Sequence, residues 1–443
     1  MRILFERFVM SRIVTFVFAV LFVFVPLSAQ AIDIKEIETD LGLKVLLVED
    51  HTLPIITMSF AFRGGATQDE PEKSGALNLM SALLDEGAGP YDAEAFQNRL
   101  EDLATSISFN AGRDYLFGSM RTLSPHVGDA FEMLRLAIYE PHFNEKPLNR
   151  IRDQLLAGIR SEKNNPNALA SKAMRELIYP VGHAYRRTVR GTETSVSSLN
   201  ADDLRAIKKR VMGRDNLVIS FVGDISPADL KKRLDVLFGD LPATADLRKM
   251  DVVEPMLGET TAIDIERPQT RFSFVGKGVA RHDPDYIPAY LVNQILGGSG
   301  LTSRLSNEVR EKRGLAYGIS TGLSNSVLSS LFTGSVATRT DFADETFKVL
   351  KKELKRMADE GPTEEELALA KSYTIGVYAL NFDGSSDIAN TLTSLQIQNL
   401  PADYIKTRAK RINSVTLEQA KSAAKRLLGD DSYSFVRLGP APK

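Results

Sequence analysis

Apolar and polar residues alternate near the start of each half of the chain, which is the pattern of a β-strand with one buried face. In the first half the alternation covers residues 57–62 and ends at Arg63-Gly64-Gly65. In the second half it covers residues 271–274 and is followed by Gly276-Lys277-Gly278. Each predicted half-buried strand precedes an apolar segment that ends in glycine, at residues 75–89 and 287–300. Both of these segments are predicted to be helical.

Further along each half, apolar side chains recur every three or four residues, which places them on one face of an amphipathic helix. These stripes are Val127, Phe131, Leu134 and Ile138 in the first half, and Phe347, Leu350, Leu354 and Met357 in the second. Three other helix starts are marked by a capping residue with an acidic or amide side chain three positions later. The pairs are Asn200 with Asp203, Thr363 with Glu366, and Thr416 with Gln419. The first and last of these helices lead into predicted strands at residues 217–222 and 433–436.

Matched elements in the same order indicate that the chain contains two copies of one plan. The sequence predicts one domain over residues 32–240, a linker over residues 241–258 that contains Pro242 and Pro255, and a second domain over residues 259–443. Strand-rich stretches followed by long helical ones favour an α+β fold, with a mostly antiparallel sheet in each domain and helices packed on one face. The alternative is a chance similarity between two unrelated domains.

The first 31 residues have the pattern of a secretory signal peptide. Arg2, Arg7 and Arg12 precede an uncharged apolar run from Ile13 to Leu27, and small residues follow at positions 28–31. An uncleaved membrane anchor is the alternative, but this run is shorter than the roughly 20 residues that span a bilayer. We therefore expect residues 1–31 to be removed during export, which leaves a periplasmic protein without a membrane segment.

Composition excludes several classes of function. The 443 residues carry a formal net charge of -2, which gives no electrostatic basis for binding nucleic acid. The absence of cysteine excludes disulfides, thiol catalysis and cysteine-ligated metals. The five histidines include no pair at the i, i+4 spacing with which a helix directs two imidazoles at one metal ion.

Several strings, in this order along the chain, resemble the pitrilysin/insulinase-type peptidases, a family that includes the mitochondrial processing peptidases. The strings are Arg63-Gly64-Gly65, His183-Ala184-Tyr185, Gly191-Thr192-Glu193, Ser303-Arg304-Leu305 and Val309-Arg310-Glu311-Lys312-Arg313-Gly314-Leu315-Ala316-Tyr317. The last string is the most specific, and the resemblance extends over nearly the whole chain after residue 31. It implies two homologous domains that close like a clam shell around a chamber in which peptides are degraded.

The resemblance also implies a zinc site, and this sequence has lost its ligands. The family binds zinc through an inverted His-x-x-Glu-His motif, whose glutamate activates the metal-bound water, and through a distant glutamate. The motif positions here hold Asn78, Ser81 and Ala82, and Gly158 stands in place of the distant glutamate. Alanine and glycine have no donor atom, and a single amide does not replace imidazole. We therefore expect no metal in this chain.

Two other parts of the family's site are retained. Arg310 and Tyr317 match the arginine and tyrosine that the family places opposite its zinc. A guanidinium and a phenol both donate hydrogen bonds, so they can hold a substrate carbonyl and the oxyanion that develops on attack. Asn110-Ala111 resembles the edge strand to which the family's peptides add as an extra strand. Without the resemblance, these positions indicate only an exposed helix and an ordinary sheet edge.

The sequence thus favours the non-catalytic subunit of a two-chain periplasmic zinc peptidase. In this hypothesis a homologous partner with an intact His-x-x-Glu-His motif supplies the zinc and the glutamate base. This chain supplies Arg310, Tyr317 and half of the chamber wall, and is inactive alone. Two alternatives stay open: a non-enzymatic peptide-binding or scaffold protein of the same fold, and a metallopeptidase that uses ligands not recognisable in the sequence.

Overall fold

The structure, a computed structural model, describes residues 33–441. The predicted signal peptide at residues 1–31 lies outside the described residues. Among residues 33–441, none of the helices combines the length and the apolar character needed to cross a bilayer.

The first half of the chain forms a six-stranded sheet. Its strands are β1 (Lys35–Glu38), β2 (Lys44–Glu49), β3 (Ile55–Arg63), β4 (Ser106–Ala111), β5 (Tyr115–Leu123) and β6 (Leu217–Gly223). They are arranged in the order β1-β2-β6-β3-β5-β4, in which β2 and β6 are parallel and all other neighbours are antiparallel. Strand β4 therefore lies at one edge.

The second half forms a five-stranded sheet with the same pattern. Its strands are β7 (Thr260–Asp264), β8 (Gln269–Lys277), β9 (Ala316–Asn325), β10 (Ser330–Arg339) and β11 (Ser434–Gly439). The order is β7-β11-β8-β10-β9, again with one parallel pair, β7 and β11. Strand β9 takes the place of β4 at the edge. This repetition confirms the predicted α+β class with two mostly antiparallel sheets.

Helices follow the strands in both halves. Those of the first half are α1 (Ala76–Ser81), α2 (Ala93–Asp102), α3 (Val127–Tyr139), α4 (Glu145–Glu162), α5 (Pro166–Ile178), α6 (Glu193–Ser198), α7 (Ala201–Val211) and α8 (Pro227–Phe238). Those of the second half are α9 (Tyr286–Asn293), α10 (Arg304–Ser306), α11 (Ala343–Glu360), α12 (Glu364–Tyr378), α13 (Ser385–Ile397), α14 (Tyr404–Asn413) and α15 (Leu417–Leu428).

The three predicted capping boxes are present. Asn200, Thr363 and Thr416 each accept a hydrogen bond from a backbone N–H of the first turn, at the starts of α7, α12 and α15, and the side chain three residues later bonds back to the cap. Local hydrogen bonding of this kind needs no tertiary partner, which is why the sequence located these starts correctly.

The predicted helix over residues 75–89 is shorter than expected. Helix α1 ends at Ser81, and the chain continues in buried turns in which Leu83 N–H bonds to the Met80 carbonyl. Gly87 has a φ of 101° and Gly89 of 56°, a backbone region that favours glycine and ends helices. In the second half, α9 continues into a π-helical turn at Gln294–Gly298.

Each half contributes one helix to the sheet of the other half. Helix α13 packs on β3 and β6, where Thr393 donates to the Ser59 carbonyl at 3.2 Å and Gln396 donates to the Ile219 carbonyl at 2.7 Å. In return, α5 packs on β8 and β11. The resulting shared core contains Ala170, Met174, Ile178, Tyr179, Tyr185, Val275, Leu328, Val436 and Leu438.

This exchange corrects the prediction of a half-buried strand at residues 57–62. The apolar face of β3 packs into the core of its own half, as expected. The polar face is also buried, because α13 covers it: Thr57 is 4% exposed and Ser59 is 5% exposed. The helices of each half do pack on one face of their own sheet, and the second face carries the exchanged helix.

Residues 241–258 form neither helix nor strand, yet they are bonded to both halves. The backbone of Arg248 exchanges two hydrogen bonds with the Gln68 side chain, at 2.7 and 3.3 Å. Val253 N–H donates to the Leu328 carbonyl at 2.8 Å, and Met256 N–H donates to the Ile178 carbonyl at 2.9 Å. The segment therefore joins the halves as an extended strap.

Candidate functional site

The three motif positions of the lost zinc site lie together at the end of α1. Asn78 is in the helix, Ser81 is its last residue, and Ala82 is the residue at which it ends. The Ser81 hydroxyl donates to the Asn78 carbonyl at 2.9 Å. The hydroxyl is thus engaged within its own turn, and serine without a neighbouring base is not itself a general base.

Gly158 lies on α4, which packs against α1, so the fold brings all four positions to one helix pair. A Cβ atom at Gly158 would stand 3.5 Å from the Arg190 guanidinium, which pairs with Glu162 at 3.0 Å. A cation therefore occupies the space beside the position of the missing ligand. Its charge repels a divalent metal ion.

The remaining candidate ligands do not form a metal site. Within residues 33–441, no group of three or more histidine or acidic side chains converges closely enough to hold a metal ion. His51, for example, bonds to Asp224 at 2.6 Å on an exposed surface. The residues at the lost site do not fit zinc, which agrees with the sequence interpretation.

In the second half, Arg304 has a structural role. Its buried guanidinium contacts the Glu366 carboxylate at 2.5 and 2.6 Å and donates to the Gly361 carbonyl at 2.9 Å. Since Glu366 also completes the capping box of α12, this bidentate pair fixes the start of that helix to the segment that precedes Arg310.

Glu308 forms ion pairs with the two other nearby cations. Its carboxylate contacts Lys312 at 2.6 Å and Arg313 at 2.5 Å, and these hydrogen bonds lower the pKa of Glu308 to about 2. The residues around it, Asn307–Glu311, form a π-helical turn in which Lys312 N–H bonds to the Asn307 carbonyl. Turns of this kind are rare in proteins, but those that occur frequently lie at functional sites.

Arg310 and Tyr317 take no part in these pairings. The nearest carboxylate to Arg310 is its neighbour Glu311, at 3.6 Å, and the Arg310 side chain is 36% exposed. Tyr317 lies at the start of β9, is 91% exposed, and its hydroxyl has no hydrogen-bond partner among residues 33–441. Both donors are therefore available to a group outside the chain.

Asn110 and Ala111 lie at the end of edge strand β4, as the resemblance implied. Within the described part of the chain, the backbone groups of β4 pair only with β5, so its outer edge is open. A cavity of about 810 Å³ borders this edge, and its lining includes Asn110, Ala111, residues of α13, and Asn325 at the end of β9.

The two groups of predicted site residues do not meet in one chain. Tyr317 and Asn325 are eight residues apart on β9, a span of roughly 26 Å in an extended strand. Asn110 lies at the Asn325 end, and Arg310 with Tyr317 lies at the other. Neither the Arg304–Glu366 pair nor the exchanged helices were found from the sequence, because both depend on contacts between distant segments.

Comparison with known proteins gives two family matches. Residues 44–189 match the family described as insulinase (peptidase family M16), and residues 198–373 match the family described as peptidase M16 inactive domain. Together these matches cover most of the chain, and the second begins before β6, the last strand of the first sheet.

Individual relatives match over most of their lengths. The non-peptidase homologue YmxG of Helicobacter pylori is 24% identical over 402 residues, which cover 90% of this chain and 91% of the relative. A probable mitochondrial-processing peptidase subunit beta of Arabidopsis thaliana is 20% identical, with coverage of 90% and 77%. The crystal structure of a peptidase M16 inactive domain from Pseudomonas fluorescens is 30% identical, has a TM-score of 0.86, and covers 93% of this chain and 98% of its own.

Proposed function

Because this chain belongs to the insulinase family, peptidase family M16, and is a member without zinc ligands, we propose that it is the non-catalytic subunit of an exported two-chain peptidase. A homologous partner with an intact His-x-x-Glu-His motif supplies the zinc and its base. This chain supplies hydrogen-bond donors to the substrate. The pattern of residues 1–31 is the support for export to the periplasm.

The observation that carries this proposal is the freedom of Arg310 and Tyr317. Arg304, Lys312 and Arg313 are held by carboxylates at 2.5–2.6 Å, whereas the only carboxylate near Arg310 among the described residues is that of Glu311, at 3.6 Å. Tyr317, seven residues further along the chain, is 91% exposed. Both are suited to donate to a scissile carbonyl and to the oxyanion that replaces it.

Pairing with a partner is supported by an apolar stripe on α12. Leu369, Tyr373 and Val377 are spaced four residues apart and are exposed, and Leu380 continues the stripe beyond the helix end. The opposite face of α12 buries Leu367 and Ala370 in the core. A helix with apolar side chains on both faces indicates a second packing partner.

The test is joint activity. The chain mixed with an exported homologue that carries the intact motif should hydrolyse peptides, while each chain alone should not. Arg310→Ala should lower the joint kcat/KM by about 100- to 1,000-fold, since loss of one oxyanion donor costs about 2.7–4 kcal/mol. Tyr317→Phe removes the second donor and should lower the joint kcat/KM by a similar factor.

The matched control is Arg339→Ala, which removes another exposed arginine at the end of β10. It should leave the joint activity unchanged. If Arg310→Ala also has no effect while the two chains still form a complex, the role of Arg310 is wrong.

The open edge of β4 supports a second candidate, a peptide-binding protein without chemistry. Its cavity is formed by this chain alone and needs no partner to exist. In that case the purified chain binds extended peptides, and no addition of a zinc-bearing homologue produces hydrolysis.

A further inference from the structure

A second cavity, of about 530 Å³, lies among α9, α12, α13 and α14 and has an unusual lining. Its wall contains four tyrosines and two arginines: Tyr286, Tyr290, Tyr378, Tyr404, Arg281 and Arg408. The four phenol hydroxyls form no hydrogen bond within residues 33–441, so they are available as donors. Nothing in the proposed peptidase role uses this cavity.

The two guanidiniums are held in place by stacking. Arg281 lies 4.4 Å from the ring centre of Tyr286 and 5.1 Å from that of Tyr404, and its Nε donates to Gln398 at 2.6 Å. Arg408 lies 4.1 Å from the ring centre of Tyr378 and donates through Nη1 to the Thr374 carbonyl at 3.0 Å. Stacking fixes the plane of a guanidinium and leaves its other N–H groups free for a planar anion.

The charge of the lining matches a single negative charge. Among the described residues, no carboxylate lies within 4.0 Å of either guanidinium. Asp387 is the acidic residue of the lining, and it is exposed. Two arginines and one aspartate leave a formal charge of +1, which suits a carboxylate better than a doubly charged phosphate.

This cavity adjoins the cavity that borders β4. Arg281, Tyr286, Asn390, Ser394 and Gln398 line both. A chain that pairs with the outer edge of β4 near Asn110 therefore lies close to the shared residues of α13, and through them to the Arg281–Arg408 cavity. Extended peptides bind in this way when main-chain pairing gives affinity and a pocket at one end gives specificity.

We propose that the Arg281–Arg408 cavity binds a carboxylate of the peptide that adds to β4, with the C-terminal carboxylate as its best fit. A bidentate hydrogen bond from the stacked Arg281 and a further one from Arg408 hold the two oxygens, and the phenols surround them. This inference deepens the proposed function, because it rests on β4 as the peptide-binding edge.

The experiment uses the full purified chain without a partner, so that it is independent of joint hydrolysis. An extended ten-residue peptide is titrated with a free and with an amidated C-terminus. The free acid should bind at least tenfold more tightly, and Arg281→Gln or Arg408→Gln should reduce that ratio to about one. Equal binding of acid and amide to the unmodified chain overturns the proposal.

Controls separate the cavity from the groove. Arg411 also stacks on Tyr404, at 5.6 Å, but does not line the cavity, so Arg411→Gln should leave the acid-to-amide ratio unchanged. A dipeptide with a blocked N-terminus is too short to pair along β4, and its preference for the free acid reports on the cavity alone. Suppose that this dipeptide prefers the free acid and that the ten-residue peptides bind no more tightly than the dipeptide. The cavity then binds the carboxylate, but β4 is not the edge to which the peptide adds.

Two further binding experiments identify which kind of anion the cavity accepts. An amidated peptide with one glutamate near its end, compared with its glutamine version, shows whether a side-chain carboxylate is accepted as well. Acetate should displace the bound peptide more effectively than inorganic phosphate. Stronger displacement by phosphate means that the carboxylate assignment is wrong.

Discussion

Glu308 shows how one residue determines what its neighbours are able to do. Its carboxylate holds Lys312 at 2.6 Å and Arg313 at 2.5 Å. Its side chain is 10% exposed, so the carboxylate would be poorly solvated without these two partners. Arg310 does not share this carboxylate, and its nearest carboxylate is that of Glu311, at 3.6 Å.

Glu308→Gln should therefore destabilise the fold, and the loss should depend on pH. The folded pKa of Glu308, about 2, lies below the ordinary value of 4.5. The ion pairs thus stabilise the fold fully above pH 4.5, and their contribution disappears as the pH falls toward 2. Because both cations are partly exposed, we expect a loss of about 1–2 kcal/mol at pH 7.

The measurement is the free energy of unfolding in urea for both proteins between pH 7 and pH 3. The difference between them should shrink steadily below pH 4.5. The matched control is Glu311→Gln, whose carboxylate stands 3.6 Å from Arg310 and is more exposed. A difference for Glu308→Gln that is constant over this range would contradict the assignment.

At the residue scale, the sequence predicted only part of the arrangement at the lost zinc site. Asn78, Ser81, Ala82 and Gly158 do lie on neighbouring helices, as the resemblance implied. Arg190 beside Gly158 was not predicted, because it comes from a segment 32 residues further along the chain. Contacts between distant segments leave no local pattern in a sequence.

At the scale of elements, the exchanged helix α13 has side chains that match a foreign sheet. Gln396 donates both to the Ile219 carbonyl, at 2.7 Å, and to the Ser220 hydroxyl, at 2.9 Å. Ser220 is fully buried, so these polar groups depend on Gln396 for a partner.

Gln396→Leu should cost about 1–3 kcal/mol, because it leaves buried polar groups of β6 without a hydrogen bond. Since α13 joins the halves, unfolding followed by circular dichroism should shift as a whole to lower urea concentration. Ser386→Ala, at an exposed position of the same helix, should have almost no effect. An equal loss for both variants would mean that α13 itself, and not this contact, is responsible.

The same scale shows which elements were predictable. Helix starts with capping boxes and amphipathic helices were located from the sequence, because their signals lie within a few residues. The end of α1 and the burial of the polar face of β3 were not. Both depend on which other element lies against the segment in space.

At the scale of the whole molecule, the proposed pairing makes the α12 stripe a contact surface. Tyr373→Glu places a charge within the stripe, where burial against a partner would desolvate it. We expect association with the zinc-bearing homologue to weaken at least tenfold, with an unchanged melting temperature of the chain alone. Sedimentation or light scattering of the mixture measures this.

Ser372→Glu is the matched control, since Ser372 is exposed beside the stripe and receives the same charge. It should leave association nearly unchanged. If the Tyr373→Glu variant associates with the zinc-bearing homologue as tightly as the unmodified chain does, the partner binds elsewhere.

The sequence by itself determined the α+β class, the duplicated plan, the membership in a peptidase family and the loss of the zinc ligands. These follow from periodicity, from local hydrogen-bonding signals and from which donor atoms each side chain carries. Only the tertiary structure decided that the halves exchange helices, that Tyr317 is exposed and Arg310 has no carboxylate closer than Glu311 at 3.6 Å, and that two arginines and four tyrosines line one cavity. The reason is that packing, and with it exposure, is set by segments that are far apart along the chain.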